Sequence, residues 1–394
     1  MLKINQKSIF GLIFLLMVFL PNGKLLYVSQ ILFTLLAVFL GRNELRLHKA
    51  FGEYKLLVIT SMFVTFVYTI IIGNGLYVSS LVKMINIAIL IIFFPLINGY
   101  EFKDRLIVFS VSLILFSQLA FIFNIQSVTS FIDAYYSSEN FRNWGEIVLQ
   151  NDTLGNRSIF DLRFGGVFRN PNQCGRMLTL MLIVYLQGKK KLVKKHYLSL
   201  LIILCSIVLT GSRTTMIIFV LLISYFFLKE VKIKKKHLYT GISVALILVI
   251  FLGYKFNSRI FYLLSSTTAA NEPGSLAVKY IFLWHYIADT FVNNILNLIF
   301  GTFNIDDIDI HVEGLKIYKF DAGVGYLLHA FGLLGLFSLL IFFLQMFVRA
   351  SRSTKLFFIL TIWVITSTIL TNLRFSFLFM FMFGNYYKLK ESTE

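Results

Sequence analysis

Residues 197–229 read YLSLLIILCSIVLTGSRTTMIIFVLLISYFFLK, two apolar stretches separated by a short polar turn that contains an arginine. Each stretch is continuously apolar instead of alternating every second residue, which is typical of membrane-spanning helices. Gly211 and Ser212 allow the chain to reverse tightly between the two stretches. The segment therefore predicts a helical hairpin in a membrane, with Arg213 at its turn.

The same apolar character extends along the chain, since 57% of its 394 residues are hydrophobic and 14% are charged. Soluble proteins have roughly 25% charged residues, so this composition predicts a protein embedded in the lipid bilayer. The net charge of +18 does not indicate nucleic-acid binding, because many cations cluster in short segments between apolar stretches. Cys174 and Cys205 both lie in apolar stretches, and no metal-ligand or nucleotide motif is evident. We expect no disulfide, metal or cofactor.

We predict an all-α polytopic membrane protein with about twelve transmembrane helices and two larger loops on the outer face. The N-terminus is basic and then apolar like a signal peptide, but residues 20–24 offer no small-residue cleavage site. A retained first span is therefore expected. The predicted spans cover residues 8–22, 25–41, 55–73, 79–98, 105–125, 172–188, 197–212, 214–229, 238–254, 323–348, 356–371 and 374–387.

These spans divide the chain into five parts. They are spans 1 to 5 (1–125), a first outer loop (126–171), spans 6 to 9 (172–254), a large outer loop with an amphipathic helix (255–322), and spans 10 to 12 with a cytoplasmic tail (323–394). The lysine-rich segments 189–195 and 229–236 fall inside when both termini are cytoplasmic, which sets the orientation. Apolar residues at helical spacing over 276–298 predict a helix that lies on the membrane surface or packs within an outer domain.

Two arginines at the outer ends of predicted helices are the main candidate functional residues. A guanidinium is a planar donor suited to phosphate, and it is costly near lipid unless it has a partner. Arg213 lies in the turn beside Ser212, where backbone amides can also approach a ligand. The alternative for Arg213 is a side chain that only reaches the membrane surface from a helix end.

Arg169 precedes Asn170, Pro171 and Asn172, and the proline is expected to begin a helix. A helix N-terminus beside an arginine forms an anion site, although Asn170 or Asn172 can also act as an ordinary helix cap. Arg163 and Arg176 flank this motif as further candidate ligands, and each alone fits a structural role.

Four other residues complete the candidate site. Asp321 precedes a long apolar stretch, where it can act as a general base or cap the helix. His329 lies two turns further on and can transfer a proton or hydrogen-bond between helices. In the large outer loop, Lys279 can bind phosphate and Trp284 can stack on a sugar ring or anchor the helix at the lipid interface.

Three stretches, residues 166–172, 210–214 and 321–335, resemble the O-antigen polymerase and ligase superfamily (Wzy-type polymerases and their ligase relatives) in order and in predicted outer location. The similarity extends over roughly residues 160–340 and includes Phe300-Gly301-Thr302-Phe303 after the outer-loop helix. It implies metal-independent glycosyl transfer on undecaprenyl-diphosphate-linked oligosaccharides at the outer face of the bacterial inner membrane. By the same resemblance, Arg169 and Arg213 hold the diphosphates of the donor and acceptor lipids.

The resemblance favours a polymerase of O-antigen or capsular polysaccharide. Ligases of the superfamily typically carry histidine at the position of Asp321 and commonly arginine near Lys279. The expected partners are the lipid-linked oligosaccharides, the lipid bilayer and a protein that regulates chain length. The alternatives are an O-antigen ligase, a lipid-linked oligosaccharide flippase and a non-enzymatic scaffold. Transporters often place charges or broken helices near the membrane midplane, whereas here Lys83 is the main mid-span charge.

Overall fold

The computed structural model describes residues 6–21, 51–73, 75–93, 103–136, 164–168, 171–186, 194–230, 275–304, 310–312, 315–317 and 323–350, with isolated residues between 28 and 39 and between 355 and 379. Its helices are α1 (Gln6–Phe19), α2 (Gly52–Ile71), α3 (Val78–Ile92), α4 (Asp104–Ile122), α5 (Gln126–Tyr136), α6 (Pro171–Leu186), α7 (Lys194–Thr210), α8 (Arg213–Glu230), α9 (Ser275–Asn293), α10 (Ile295–Phe300) and α11 (Gly323–Arg349). A 3-10 turn covers Gly166–Phe168.

The predicted helical membrane fold is confirmed in its class. Three of the described helices, α2, α4 and α11, are long and apolar enough to cross a membrane, and shorter apolar helices occur at Ser80–Ile92, His196–Thr210 and Thr215–Phe226. The predicted spans 25–41, 238–254, 356–371 and 374–387 lie wholly or largely outside the described residues. The total of about twelve spans therefore stays a prediction.

One helix and two strands among the described residues were not predicted. Within the first predicted outer loop, α5 forms a helix, and its Ile132 packs with Phe121 and Phe164 in a buried cluster. In the predicted large outer loop, β1 (Ile310–Val312) and β2 (Leu315–Ile317) pair antiparallel with His311 opposite Lys316. The isoleucines and valine of these strands favour extended backbone, which accounts for a small hairpin in an otherwise helical chain.

The chain divides into two compact units, a terminal unit (residues 1–102 and 279–394) and a central unit (residues 103–278). In the terminal unit α11 runs antiparallel to α2. The hydroxyls of Ser61 and Ser338 are 2.8 Å apart, and Thr65 Oγ1 donates to the carbonyl oxygen of Phe331 at 3.4 Å. Small hydroxyl residues let helices approach closely in a membrane, so these contacts fix how α2 and α11 pack.

Two cations lie where α2 begins and α11 ends. Lys55 is buried, and its Nζ donates to the carbonyl oxygen of Ile92 at 3.1 Å, at the C-terminal end of α3. The guanidinium of Arg349, the last residue of α11, lies 5.1 Å from the centre of the Phe51 ring. Positive charge near helix C-termini is favourable because the last carbonyl groups carry partial negative charge. The first residues of α2 and the last residues of α3 and α11 therefore share one end.

A buried glutamine organises the central unit. Gln118, on α4, donates through Nε2 to the carbonyl oxygens of Phe164 at 3.0 Å and Ser206 at 3.1 Å. Its Oε1 accepts from Ser206 Oγ at 2.7 Å. The Phe164 amide in turn donates to the carbonyl oxygen of Leu209, at 2.9 Å, near the end of α7. Gln118 thus joins α4 and α7 to the irregular segment that leads into the Arg169 motif.

The 3-10 turn is held on the same helix. The Val167 amide donates to Ser117 Oγ at 3.3 Å, beside Gln118. Gly166 has a φ of 55°, and a Cβ added there would collide with Ser117 Oγ. Both the backbone conformation and the close packing therefore require glycine at this position. As a result, the segment before α6 lies directly against α4.

We expect Gln118→Leu to lower the free energy of unfolding by about 2–3 kcal/mol, because the buried carbonyl groups of Phe164 and Ser206 lose a donor while the side-chain volume is nearly kept. Thermal unfolding of the purified protein in detergent measures this loss. Ser110→Ala is the matched control, since Ser110 Oγ donates only to Leu106 O within α4. Equal stability of the two variants would contradict the organising role of Gln118.

Candidate active site

In the central unit, the helix that follows the Arg169 motif and the helix that begins at Arg213 start next to each other. Pro171 is the first residue of α6, as the sequence predicts, and Arg213 is the first residue of α8. Gly175, in the second turn of α6, faces the start of α8: a Cβ added to it would lie 3.1 Å from Ser212 Cβ and would collide with Thr215 Oγ1. The N-termini of α6 and α8 therefore lie side by side at one end of the central unit.

This adjacency makes the end of the central unit electrostatically positive. The first amides of an α-helix have no acceptor within the helix, and the aligned peptide dipoles place about half a positive charge at its N-terminus. Here two such N-termini are brought together without an intervening side chain at position 175. The arrangement suits a phosphate or diphosphate group, which can accept hydrogen bonds from backbone amides.

Hydrogen bonds within the turn shape the second motif. Gly211 has a φ of 57°, the left-handed conformation that favours glycine. Thr210 Oγ1 accepts from the Ser212 amide at 3.1 Å, and Thr215 Oγ1 donates to Ser212 Oγ at 2.9 Å. Ser212 is only 5% exposed. Its hydroxyl therefore helps to form the turn, and its predicted contact with substrate stays a prediction.

The structure describes the other predicted site residues to different extents. Asn172 is exposed in the first turn of α6, Arg176 is half-buried one turn later, and Trp284 is 69% exposed on α9. Outside the described part of the structure lie Arg163, Arg169, Asn170 and Asp321, together with the side chains of Arg213 and Lys279. The roles assigned to all of these residues stay predictions.

In the terminal unit, α11 is broken at Gly332, which has φ 64° and ψ −173°. The break leaves the carbonyl oxygens of His329 and Ala330 without helical partners, and they accept from the amides of Thr302 and Phe303, both at 2.9 Å. A Cβ on Gly301 would lie 2.5 Å from the Gly332 nitrogen. The backbone of the Gly301–Asn304 turn therefore packs directly on the broken helix and satisfies its freed carbonyl groups.

His329 is buried beside this break and hydrogen-bonds on both sides of its ring. Nδ1 lies 3.1 Å from the Tyr286 hydroxyl on α9, and Nε2 lies 3.2 Å from Thr302 Oγ1. Of the two roles that the sequence leaves open for His329, the structure shows hydrogen bonding between segments. Burial raises the pKa of Tyr286 to about 12, so its hydroxyl is protonated at neutral pH.

Tyr286 and Thr302 were not predicted as site residues. Thr302 belongs to the Gly-Thr-Phe stretch at 301–303 that carries part of the family resemblance, which is the signal that could have identified it. Tyr286 lies among the apolar residues of α9 and resembles an ordinary packing residue in the sequence. Its pairing with His329 spans 43 positions, so local pattern contains no trace of it.

A family model described as O-antigen ligase matches residues 198–309. The matched region begins in α7 and includes the Arg213 turn, α9, and Thr302. Over these residues the match confirms the predicted resemblance and supports a membrane enzyme of the O-antigen ligase and polymerase type, while the stretches 166–172 and 321–335 lie outside it. Neither the curated proteins nor the solved structures include a match to the chain.

We expect Gly175→Ala to destabilise the protein by about 1–3 kcal/mol, because the added methyl group overpacks the contact between α6 and α8. Adding Thr215→Ala removes the atom with which that methyl group collides, so the double variant should recover part of the loss. Thermal unfolding of both single variants and the double variant measures the coupling. Gly52→Ala is the control, since nothing lies within 4 Å of its added Cβ. Strictly additive effects would show that the two N-termini are not in contact.

Proposed function

We propose that the protein polymerises undecaprenyl-diphosphate-linked oligosaccharide repeat units into O-antigen or capsular polysaccharide at the outer face of the bacterial inner membrane. The observation that supports this proposal is the contact between the start of α6, the helix that follows the Arg169 motif, and the start of α8, whose first residue is Arg213. A reaction between two lipid diphosphates needs two anion-binding groups close together. The O-antigen ligase match, which includes the Arg213 turn, supports the same substrate class.

In the proposed reaction, the growing glycan on one lipid diphosphate is the donor and a new lipid-linked unit is the acceptor. An acceptor hydroxyl attacks the anomeric carbon of the donor, a new glycosidic C–O bond forms, and the bond from the anomeric carbon to the diphosphate oxygen breaks. Undecaprenyl diphosphate leaves with the electron pair, and the hydroxyl proton passes to a general base, for which Asp321 is the candidate. Arginine and helix N-termini stabilise the charge that develops on the departing diphosphate, which is usually the largest catalytic contribution.

The choice of polymerase over ligase is supported by two residues. Asp321 and Lys279 stand where ligases of the superfamily typically carry histidine and commonly arginine. The description of the matched family model favours the ligase alternative, in which the same donor chain is transferred to a different acceptor. The two activities differ in product, because a polymerase gives a ladder of lengths and a ligase gives a single transfer.

A flippase is the competing function from another class, and the break in α11 is a feature that transporters share. In transporters, freed carbonyl groups at such breaks bind ions or substrate. Here the freed carbonyl oxygens of His329 and Ala330 already accept from Thr302 and Phe303. Because these carbonyl oxygens already have donors, the break has a structural role. The proposed glycosyl transfer is therefore favoured over transport.

We expect Arg213→Ala to lower the rate of chain extension by about 10²-fold, because a charge-assisted contact to the leaving diphosphate is lost. Purified protein is incubated with lipid-linked repeat units, without nucleotide or added metal, and the glycan lengths are read from a gel. Arg105→Ala is the matched control, since Arg105 is an exposed arginine in the first turn of α4, at the opposite end of the central unit. Arg213→Lys should recover only part of the rate, because lysine lacks the planar donor fork.

Three outcomes separate the alternatives. A ladder of glycan lengths with wild-type protein supports the polymerase. A single transfer of the glycan to an acceptor that is not a lipid diphosphate supports the ligase. Movement of the intact lipid-linked unit across a liposome membrane without extension supports the flippase. Full extension by Arg213→Ala would contradict the role of this arginine.

A further inference from the structure

The N-terminal part of α11 is a separate structural segment. Because Gly332 interrupts the helix, residues 323–331 do not continue the regular hydrogen bonding of residues 333–349. We call residues 323–331 the half-helix. Because the regular backbone hydrogen bonds are interrupted at the break, the orientation of the half-helix depends on the groups that contact it. Asp321, the candidate general base, precedes the half-helix by two residues.

One set of contacts attaches the half-helix to the turn after α10. The amides of Thr302 and Phe303 donate to the carbonyl oxygens of His329 and Ala330, and Gly301 and Gly332 pack backbone to backbone. These main-chain contacts hold the C-terminal end of the half-helix in place.

A second contact attaches the half-helix to α9. The Tyr286 hydroxyl lies 3.1 Å from His329 Nδ1, and the two rings meet edge to face with centroids 5.6 Å apart. Both side chains are buried. Lys279 and Trp284, the candidate ligands for phosphate and sugar, lie on α9 seven and two positions before Tyr286. The contact therefore joins the helix that carries the sugar-binding candidates to the segment that follows the candidate base.

The direction of this hydrogen bond follows from the single proton of the Thr302 hydroxyl. Thr302 Oγ1 lies 3.1 Å from the carbonyl oxygen of His329, to which it can only donate. Once that proton is used, Thr302 Oγ1 must accept from an Nε2–H group. Nδ1 of the neutral ring is then the acceptor for the Tyr286 hydroxyl. For a neutral ring, this tautomer satisfies all three contacts together, with Tyr286 as the donor to Nδ1.

We propose that Tyr286 is a positioning residue for glycosyl transfer: its hydrogen bond to His329 sets the half-helix, which follows the candidate base in the sequence, relative to α9, which carries the sugar-binding candidates. This inference rests on the proposed function. The reacting hydroxyl, the anomeric carbon and the base must be aligned closely, and a displacement of about 1 Å can cost roughly 10²-fold in rate. Tyr286 contacts neither substrate nor base in this role and acts through His329.

The first test is Tyr286→Phe, which removes only the hydroxyl and keeps the ring that packs on His329. The proposal predicts that kcat for chain extension falls about tenfold while KM for the lipid-linked acceptor stays within about twofold, since positioning acts on the transition state. Rates are normalised to monodisperse folded protein. Tyr68→Phe is the matched control, because it also removes one interhelical hydrogen bond in the terminal unit, from Tyr68 to Asn297 Oδ1 at 2.8 Å.

The second test separates the two sides of the imidazole. In His329→Asn the shorter amide can reach the Nδ1 position and still accept from Tyr286, whereas in His329→Gln the longer amide reaches the Nε2 position and keeps only the Thr302 contact. We expect His329→Asn to retain most of kcat and His329→Gln to match Tyr286→Phe. Combining His329→Gln with Tyr286→Phe should add no further loss, because both changes remove the same hydrogen bond.

The outcomes distinguish this inference from the proposed function. If wild-type protein does not extend chains, the proposed function is contradicted. If wild-type protein is active and Tyr286→Phe keeps its kcat, or loses no more than Tyr68→Phe, the positioning role is overturned. Equal loss in His329→Asn and His329→Gln would also overturn it, because a purely structural ring would not distinguish the two amides.

Discussion

The requirement that buried polar groups find partners within the protein is the constraint on which this structure depends. The bilayer interior offers no water, so an irregular segment beside transmembrane helices must have its backbone groups satisfied by side chains or by other backbone. In the central unit, Gln118 meets this requirement. Its side-chain amide hydrogen-bonds to the carbonyl oxygen of Phe164 and to both the carbonyl and the hydroxyl group of Ser206 on α7. The segment before α6 can therefore be non-helical and still pack against α4.

The terminal unit satisfies the same requirement with backbone. The carbonyl groups freed at Gly332 are matched by the amides of the Gly301–Asn304 turn, and two glycines allow the close approach. In each unit, described non-helical backbone lies close to a residue that the sequence singles out: the 3-10 turn at Gly166–Phe168 precedes Arg169 in the chain, and the break at Gly332 lies beside His329. Irregular structure is thus concentrated where function is proposed, and each irregular segment is held by specific hydrogen bonds.

The sequence predicts most of the described helices, because hydrophobic length depends on local composition. It identifies Pro171 as a helix start because proline is favoured at the first helical position. It does not predict the contact of Gly175 with Thr215 or of Tyr286 with His329, since each pairs residues far apart in the chain. Such pairings leave no periodic signal in the sequence. A glycine that close helix packing requires cannot be distinguished from any other glycine in an apolar stretch.

Lys55 has a consequence for how the protein is made. The predicted topology places Lys55 among the cytoplasmic cations that flank a span, and such a charge bias orients chains during membrane insertion. In the finished protein the same ammonium group is buried and caps the end of a neighbouring helix at Ile92. A neutral residue at this position would therefore weaken two things. It would reduce the charge bias that orients the chain, and it would remove the contact that caps the helix ending at Ile92.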